Sequence, residues 1–488
     1  MRIDPDEPLA GVRTKIVATV GPSSSDPRVL DRLLGAGVDV FRLNFSHGTH
    51  EEHSATLQDI RRVAQERDRE VGVLMDLGGP KIRLGELPGG VLECPIDATF
   101  TLVREPSGAE NELTSTYPDL ADDLTIGDPV LFADGTVGME VVDHSPGRVT
   151  LRVVLPGPIR SRQGINVPGT GLSLPSLTEK DLADLDWAAR NAVDFIALSF
   201  VRSGADLTRL RQELDARGIR AKVVAKIEKP QAVDDLAAIL ALTDVVMVAR
   251  GDLGVEVDVA RVPSIQRTIL REAHKARVPV IIATQMLTSM ERSSRPTRAE
   301  ASDVYNAAVD GADAVMLSGE TAIGEFPVEA VRTMSRILAE AERTAPAAPP
   351  PNGQGSAGRV GWISPITEAV VESASLACHR LNAALLVVAT RSGRSALAVS
   401  MQRNRTPTIA LAQTPEVARQ LALLWGVVPR TSPLPAGEID GAVDHALCWG
   451  ARHGLVNGGD RVVILRGFFP DHPTHNTMVV REIERSDG

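Results

Sequence analysis

Val223-Val224-Ala225-Lys226-Ile227-Glu228-Lys229-Pro230 is an apolar run that ends in charge. Its first half reads as a buried strand, and helical spacing from Ala232 to Leu240 follows it. On a strand, Lys226 and Glu228 project to one face and Ile227 to the other. Charged side chains are rarely fully buried unless paired or bound. A lysine and a glutamate at the end of a strand therefore mark either a solvated ion pair or a working rim. The choice depends on whether other strands end the same way.

They do. Phe195 to Phe200, Val245 to Ala249, Val280 to Ala283 and Ala314 to Leu317 are further short apolar runs separated by amphipathic helical spacing. Upstream lie Lys15 to Gly21, Val40 to Ser46 and Val71 to Asp76. Eight strand–helix units predict an α/β fold, a (β/α)8 TIM barrel, with an open doubly wound sheet of eight strands as the alternative. No internal repeat beyond the strand–helix alternation is expected. Within Val40 to Ser46 the alternation is strict, with Arg42, Asn44 and Ser46 on one face and Phe41, Leu43 and Phe45 on the other. His47-Gly48 then turns the chain into a helix opened by Thr49 and Glu52, the spacing of a capping box.

Arg42, Asn44, Ser46, Asp76, Lys226, Glu228, Arg250, Asp252, Thr284 and Glu320 all fall at or just beyond the C-terminal ends of predicted strands. In such barrels that rim carries the active site. So many polar residues converging from separate strand ends point to catalysis rather than to solvated loops. The glycines of Arg250-Gly251-Asp252-Leu253-Gly254 let backbone N–H groups approach a ligand closely.

Between about Leu84 and Gly171 the pattern changes to strand-like runs broken by turns such as Asp134-Gly135 and Pro146-Gly147, which predicts an inserted β-rich domain. Thr178 with Asp181 is placed to cap the helix that follows. Ala345 to Gly358 is a Pro/Gly/Ala linker, and a small α/β domain is expected after it. There a strand over Ala384 to Ala389 runs into Thr390-Arg391-Ser392-Gly393-Arg394-Ser395 and a helix. That loop reads either as a phosphate cradle or as an ordinary strand–helix turn with a capping serine. The expected division is residues 1–76 and 174–345 for the barrel, 77–173 for the insertion, 346–360 for the linker and 361–488 for the C-terminal domain.

Composition narrows the partners. A chain of 488 residues with 43% hydrophobic content supports several domains with large cores. A formal net charge of −11 argues against nucleic acid or an anionic membrane surface as the main partner. Three widely spaced cysteines (Cys94, Cys378, Cys448) form no disulfide framework or metal-ligand spacing, which fits a reducing, cytoplasmic setting. Neither a signal peptide nor an apolar run of membrane-spanning length is apparent.

Assembled in order, these motifs resemble the pyruvate kinase family over about Thr14 to Glu484. The resemblance is carried by Val223 to Ala232, Arg42-Leu43-Asn44-Phe45-Ser46-His47-Gly48, Gly79-Pro80-Lys81-Ile82-Arg83, Ala249 to Gly254 and Ala283-Thr284-Gln285-Met286-Leu287. Arg295 to Glu300 and Met316 to Ala322 complete it. It implies a barrel with a β-domain lid, a C-terminal effector domain, a homotetramer, and phosphoryl transfer from phosphoenolpyruvate to ADP giving pyruvate and ATP. It implies Glu228 and Asp252 as ligands of Mg2+ (or Mn2+) and Lys226 as the charge partner of the moving phosphoryl group and of the enolate. Arg42 holds the substrate phosphate, Arg250 with the Gly251-Asp252 backbone serves its carboxylate end, Thr284 sits beside the enolate carbon, and Ser318 and Glu320 belong to a proton relay. Asn44, His47 and Arg83 face the nucleotide. Thr390, Ser392, Gly393, Arg394 and Ser395 form a loop for a phosphorylated allosteric effector.

Asn44, Ser46, Asp76 and Leu77 match positions that cradle K+ in K+-dependent members, which carry Glu where this chain has Lys81. Lys81, Leu77 and Leu84 resemble the K+-independent branch, so K+ is expected not to be required. Gly78 and Gln163 depart from the family pattern at the lid junction, as do Glu291 to Ser294 and His472 to Thr477 elsewhere. Two other readings follow from the same residues: another phosphoenolpyruvate-handling barrel such as a lyase, which needs no nucleotide-covering insertion, and a metabolite sensor, which would not preserve Lys226, Glu228 and Asp252 together.

Overall fold

The computed structural model describes residues 12–109, 111–171, 174–344, 363–432, 439–466 and 477–484. The expected linker and the residues from His472 to Asn476 lie outside them.

Eight parallel strands close into a barrel: β1 (Lys15–Val20), β2 (Val40–Asn44), β3 (Gly72–Asp76), β4 (Phe195–Leu198), β5 (Lys222–Ile227), β6 (Val245–Ala249), β7 (Val280–Ala283) and β8 (Ala314–Leu317). β8 pairs back onto β1, with Ala314 beside Lys15, so the open-sheet alternative is excluded. The strands are shorter than the apolar runs suggest. β2 stops at Asn44 and β4 at Leu198, and the residues beyond them turn at the rim. Period-two alternation sorts the side chains. Val17, Val40, Leu74, Phe195, Val224 and Met247 fill the barrel, while Phe41, Leu43, Ile227 and Val246 pack outward under the helices.

The N-terminal rim contains a repeat finer than the strand–helix alternation, contrary to expectation. Asp39, Asp194, Asp244 and Asp313 each stand immediately before an even-numbered strand. Their carboxylates accept from the backbone N–H of Ile16 (3.0 Å), Val73 (2.8 Å), Val223 (2.9 Å) and Val280 (2.8 Å) on the preceding odd-numbered strand. Each aspartate N–H donates to the carbonyl of that same residue. The barrel is thus clamped in four equivalent quarters. A cation attends each clamp: Lys15 or Arg69 at Asp39, Arg61 at Asp194, Arg211 at Asp244, and Arg403 at Asp313.

Between β3 and β4 the chain leaves the barrel for an inserted β-domain. Val91–Cys94 pairs with Gly157–Arg160, and six further strands form an antiparallel-dominated sheet over their own apolar core. The outgoing and returning segments pair as an antiparallel neck, with Leu84 N–H on the Gln163 carbonyl and Ile165 N–H on that of Ile82. Asp181, the capping partner of Thr178, also accepts from the N–H of Gly79 at 3.1 Å and so ties the neck to the barrel.

The C-terminal sheet comprises β9 (Leu385–Thr390), β10 (Thr408–Ala412), β11 (Val427–Thr431), β12 (Arg461–Arg466) and β13 (Thr477–Glu482), in the order β11-β10-β9-β12-β13. Its last strand is antiparallel. The turn before β11 places Ala422 and Leu423 in the apolar cluster that fills the barrel, so this domain supplies the barrel floor. Arg419 and Arg403 reach from the same domain to Asp194 and Asp313. Among the described residues no helix is long and apolar enough to cross a membrane.

Candidate active site

The C-terminal rim gathers Lys226, Glu228, Asp76 and Arg42. The Lys226 ammonium lies 2.9 Å from Glu228 and 3.3 Å from Asp76, and Arg42 Nε is 2.7 Å from the other Asp76 oxygen. Asp76 and Glu228 are each 1% exposed, too buried for water to carry their charge. Burial pushes the Asp76 carboxyl up, but Lys226 and Arg42 together hold it below its ordinary range. Burial likewise disfavours the Lys226 ammonium, and Asp76 with Glu228 hold it above its usual range. Glu228 goes the other way. Burial raises its carboxyl, Lys226 pulls it back, and the nearby charge of Asp252 adds to the rise.

Two hydroxyls complete this cluster. Ser199 Oγ accepts from Lys226 at 2.8 Å and donates to the Leu77 carbonyl at 2.7 Å. Thr19 Oγ1 accepts from Arg42 at 3.0 Å and donates to the Leu317 carbonyl. The motifs did not single out either residue. The available signal was a lone hydroxyl in register with the inward face of an apolar strand, as Ser199 is with Phe195 and Ala197. Phe200, at φ 55°, turns its N–H onto Glu228 Oε2 at 2.6 Å. A bulky residue in the left-handed region is a local cost, and such costs concentrate at functional sites.

Thr284 and Gln285 adopt the same unusual backbone at the end of β7, with φ 69° and 56°. Thr284 Oγ1 accepts from Gly251 N–H at 2.7 Å, which binds the β7 rim to the short helix Arg250–Glu256. Arg250 does not join the central cluster. Its guanidinium reaches Asp303 (2.7 Å) and the Thr284 carbonyl (2.8 Å), where it braces the rim. Among the described residues Asp252 has neither hydrogen-bond nor ion-pair partner. Glu320 is buried and accepts from the N–H groups of Leu287 (2.9 Å) and Ser318 (2.7 Å). Burial raises its carboxyl against those amides. The Ser318 hydroxyl beside it is buried without a hydrogen-bond partner.

The other expected residues lie at the edge of the cleft. Asn44 Oδ1 accepts from Ser46 N–H at 3.1 Å, Ser46 and His47 are exposed, and Arg83 donates to the Arg162 carbonyl at 3.2 Å on the neck. Lys81 is exposed, lies over Gly164 and forms no ion pair among the described residues. Gln163 accepts at its amide oxygen from Arg160 N–H (2.8 Å). Far from this rim, Thr390 Oγ1 accepts from Gly393 N–H at 3.0 Å, and Gly393 (φ 83°) caps the helix Arg394–Met401. Ser392 and Arg394 are exposed and Ser395 is buried.

The arrangement fits a cation held by two carboxylates. Among the described residues no group of three or more His, Cys, Asp or Glu is placed to hold a metal. Glu228 and Asp252 alone, an acid pair whose mutual repulsion a cation would relieve, leave remaining positions for substrate oxygens and water, as Mg2+ prefers.

Residues 12–331 match the model of the pyruvate kinase barrel domain, and residues 368–481 that of the pyruvate kinase alpha/beta domain. A pyruvate kinase of Mycobacterium intracellulare is 43% identical over 461 residues, covering 94% of this chain and 95% of that protein. One of Geobacillus stearothermophilus is 40% identical over 459 residues, covering 93% and 77%. The crystal structure of a pyruvate kinase from Cryptosporidium parvum superimposes with a TM-score of 0.89 at 36% identity, covering 96% of each chain.

Proposed function

This chain belongs to the pyruvate kinase family, and from that membership we propose how its rim residues divide the work. The reaction is phosphoryl transfer from phosphoenolpyruvate to ADP, giving pyruvate and ATP, the last step of glycolysis. Members of the family are generally Mg2+-dependent. In this chain Glu228 and Asp252 would hold that ion, with Mn2+ as a substitute, and when bound it neutralises phosphoryl oxygens.

One observation carries the assignment: a buried ammonium, Lys226, fixed between two buried carboxylates at the C-terminal rim of the barrel. Phosphoryl transfer asks for positioning and charge stabilisation more than for covalent catalysis. Lys226 is held charged and is aimed by Ser199, so it offers a preorganised positive charge to the transferring group and to the enolate it leaves. Arg42, oriented by Asp76 and Thr19, receives the substrate phosphate. The N–H groups of Gly251 and Asp252 receive the substrate carboxylate, with the Thr284 hydroxyl turning from Gly251 as substrate enters. Thr284 then stands beside the enolate carbon, and Ser318 with Glu320 passes a proton toward it. Asn44, His47 and Arg83 face the nucleotide under the lid.

K+ is not required in this proposal. Three of the four matching positions already have an oxygen engaged within the fold: Leu77 carbonyl by Ser199, Asn44 by Ser46 N–H, and Asp76 by Arg42 and Lys226; the fourth, the Ser46 hydroxyl, is exposed. The remaining assignments are a cytoplasmic homotetramer and an effector phosphate at Thr390 to Ser395. The test is a coupled assay of pyruvate formation from phosphoenolpyruvate and ADP in Mg2+ with tetramethylammonium as the only monovalent cation, then with K+. Turnover without K+ and activation of no more than about twofold are expected. Activation by tens of fold would refute K+ independence, and no turnover under either condition would refute the assignment.

A further inference from the structure

Lys229 closes the stretch from which the fold is read, yet it has no place in the chemistry above. It lines the cavity between the neck of the inserted domain and the barrel with Lys81, Asn166 and Phe200, and its ammonium lies 2.5 Å from Glu256 Oε1. Glu256 is the last residue of the short rim helix Arg250–Glu256, and its side chain is 1% exposed. A negative charge at a helix C-terminus is disfavoured by the helix dipole, so this carboxylate needs a reason beyond helix formation.

The same oxygen has a second partner from another domain. Asn166, on the returning strand of the inserted domain, donates its side-chain N–H to Glu256 Oε1 at 3.3 Å and is itself buried. One residue back along the helix, Val255 lies against Gly135, where an added Cβ would sit 3.6 Å from its Cγ1. Gly135 ends a turn in which Ala133, Asp134 and Gly135 all have positive φ (52°, 51° and 86°). Two consecutive non-glycine residues in that region carry a conformational cost, located where the inserted domain rests on the rim helix. The insertion therefore touches this helix at two adjacent points, one polar and buried, one apolar.

Asp252 and Glu256 are four residues apart on that helix and so lie on one side of it, a turn from each other. Glu228 and Lys229, adjacent at the end of β5, face them as a second pair. A rotation of the helix that frees Glu256 from Lys229 also carries Asp252 away from Glu228. We propose that Glu256 is a positioning residue that couples closure of the inserted domain to the acid pair: Asn166 and Lys229 together hold the helix in the rotation that sets Asp252 beside Glu228. This rests on the reading of Glu228 and Asp252 as the divalent-cation ligands. It predicts that the lid shapes the metal site through the rim helix, besides covering the nucleotide.

The experiment uses the full chain and its Asn166→Ala, Lys229→Met, Lys229→Arg and Asp252→Asn variants. Mn2+ affinity is measured by electron paramagnetic resonance without substrates, and hydrogen exchange is followed at the neck amides of Leu84 and Ile165. Asn166→Ala should weaken Mn2+ binding and raise KM for ADP, each about tenfold, with KM for phosphoenolpyruvate changed about twofold at most and neck exchange faster. Lys229→Met should do the same and Lys229→Arg should restore the parent values, a rescue that loss of packing alone would not show. Mn2+ affinity within about twofold of the parent in Asn166→Ala overturns the coupling, even if neck exchange accelerates, because the bridge is then only a tether. Asp252→Asn separates the two ideas. If it retains Mn2+, the metal assignment fails; if it loses Mn2+ while Asn166→Ala does not, only the coupling fails.

Discussion

Both rims of the barrel bury carboxylates, and they do so differently. At the N-terminal rim, Asp194 accepts from Val73 N–H and pairs with Arg61 (2.6 Å) and Arg419 (2.9 Å), so both its oxygens are committed within the fold. At the C-terminal rim, Glu228 shares a lysine with Asp76, and among the described residues the half-buried Asp252 has no partner and Glu320 has amides but no cation. Burial of charge is therefore not the mark of function in this molecule. Incomplete pairing is. The doubly paired Asp194 holds the fold, whereas the unpartnered Asp252 beside Glu228 is left for a ligand.

The comparison breaks most readily at the N-terminal rim. Asp194→Ala leaves two arginines facing an apolar floor and should cost about 3–5 kcal/mol of stability, seen in the urea midpoint. The turnover number per folded molecule should stay within about twofold of the parent. Loss of turnover without loss of stability would show that the clamp reaches the chemistry. Lys226→Met is the opposite case. It should lower turnover by roughly 3 kcal/mol, about a hundredfold or more, in a protein that still folds to a native circular-dichroism spectrum, with some stability lost because Asp76 and Glu228 lose their shared ammonium. A variant retaining a tenth of parental turnover would remove Lys226 from its assigned role.

Titration sharpens the contrast. Burial opposes ionisation of Asp313, yet Arg403 and His274 bring its carboxyl below the ordinary value of 3.8. A lowered carboxyl contributes stability above its unfolded value and loses it as pH falls through the folded one. Unfolding midpoints measured from pH 6 downward should fall steeply below about pH 4, and less steeply in Asp313→Asn. Equal acid limbs would exclude Asp313 as a source. Glu320 has the reverse sign, since its carboxyl is raised above 4.5 by burial. Its contribution is greatest below 4.5 and is lost as pH rises through the raised value, so ionised Glu320 is a burden at neutral pH. Glu320→Gln should gain about 1 kcal/mol of stability at pH 7 while lowering turnover, the smallest stability change of the four.

The strand runs and capping pairs were legible because each is a local pattern. Thr49 with Glu52 and Thr178 with Asp181 form the reciprocal caps that their spacing predicts. The rim residues were legible because charge at the end of an apolar run is conspicuous. Ser199 and Thr19 were not, since a single hydroxyl within a strand is ordinary until a lysine or arginine is seen to point at it. The sequence pattern does not single out the four clamping aspartates, because their partners lie on the preceding strand and only closure of the barrel makes the repeat visible. Asn166 and Glu256 are 90 residues apart and in different domains, beyond the reach of any local spacing.

The barrel floor has a consequence for synthesis on the ribosome. The eighth strand ends at Leu317, but Ala422 and Leu423, which close the bottom, emerge roughly a hundred residues later. At about 5–20 residues per second the nascent barrel waits on the order of 5–20 seconds with an apolar hole at its base, and with Asp194 and Asp313 lacking Arg419 and Arg403. The interval is long compared with the collapse of a chain of this size. The half-made protein is therefore the form most in need of a chaperone, and a chain truncated after the barrel would never leave that state.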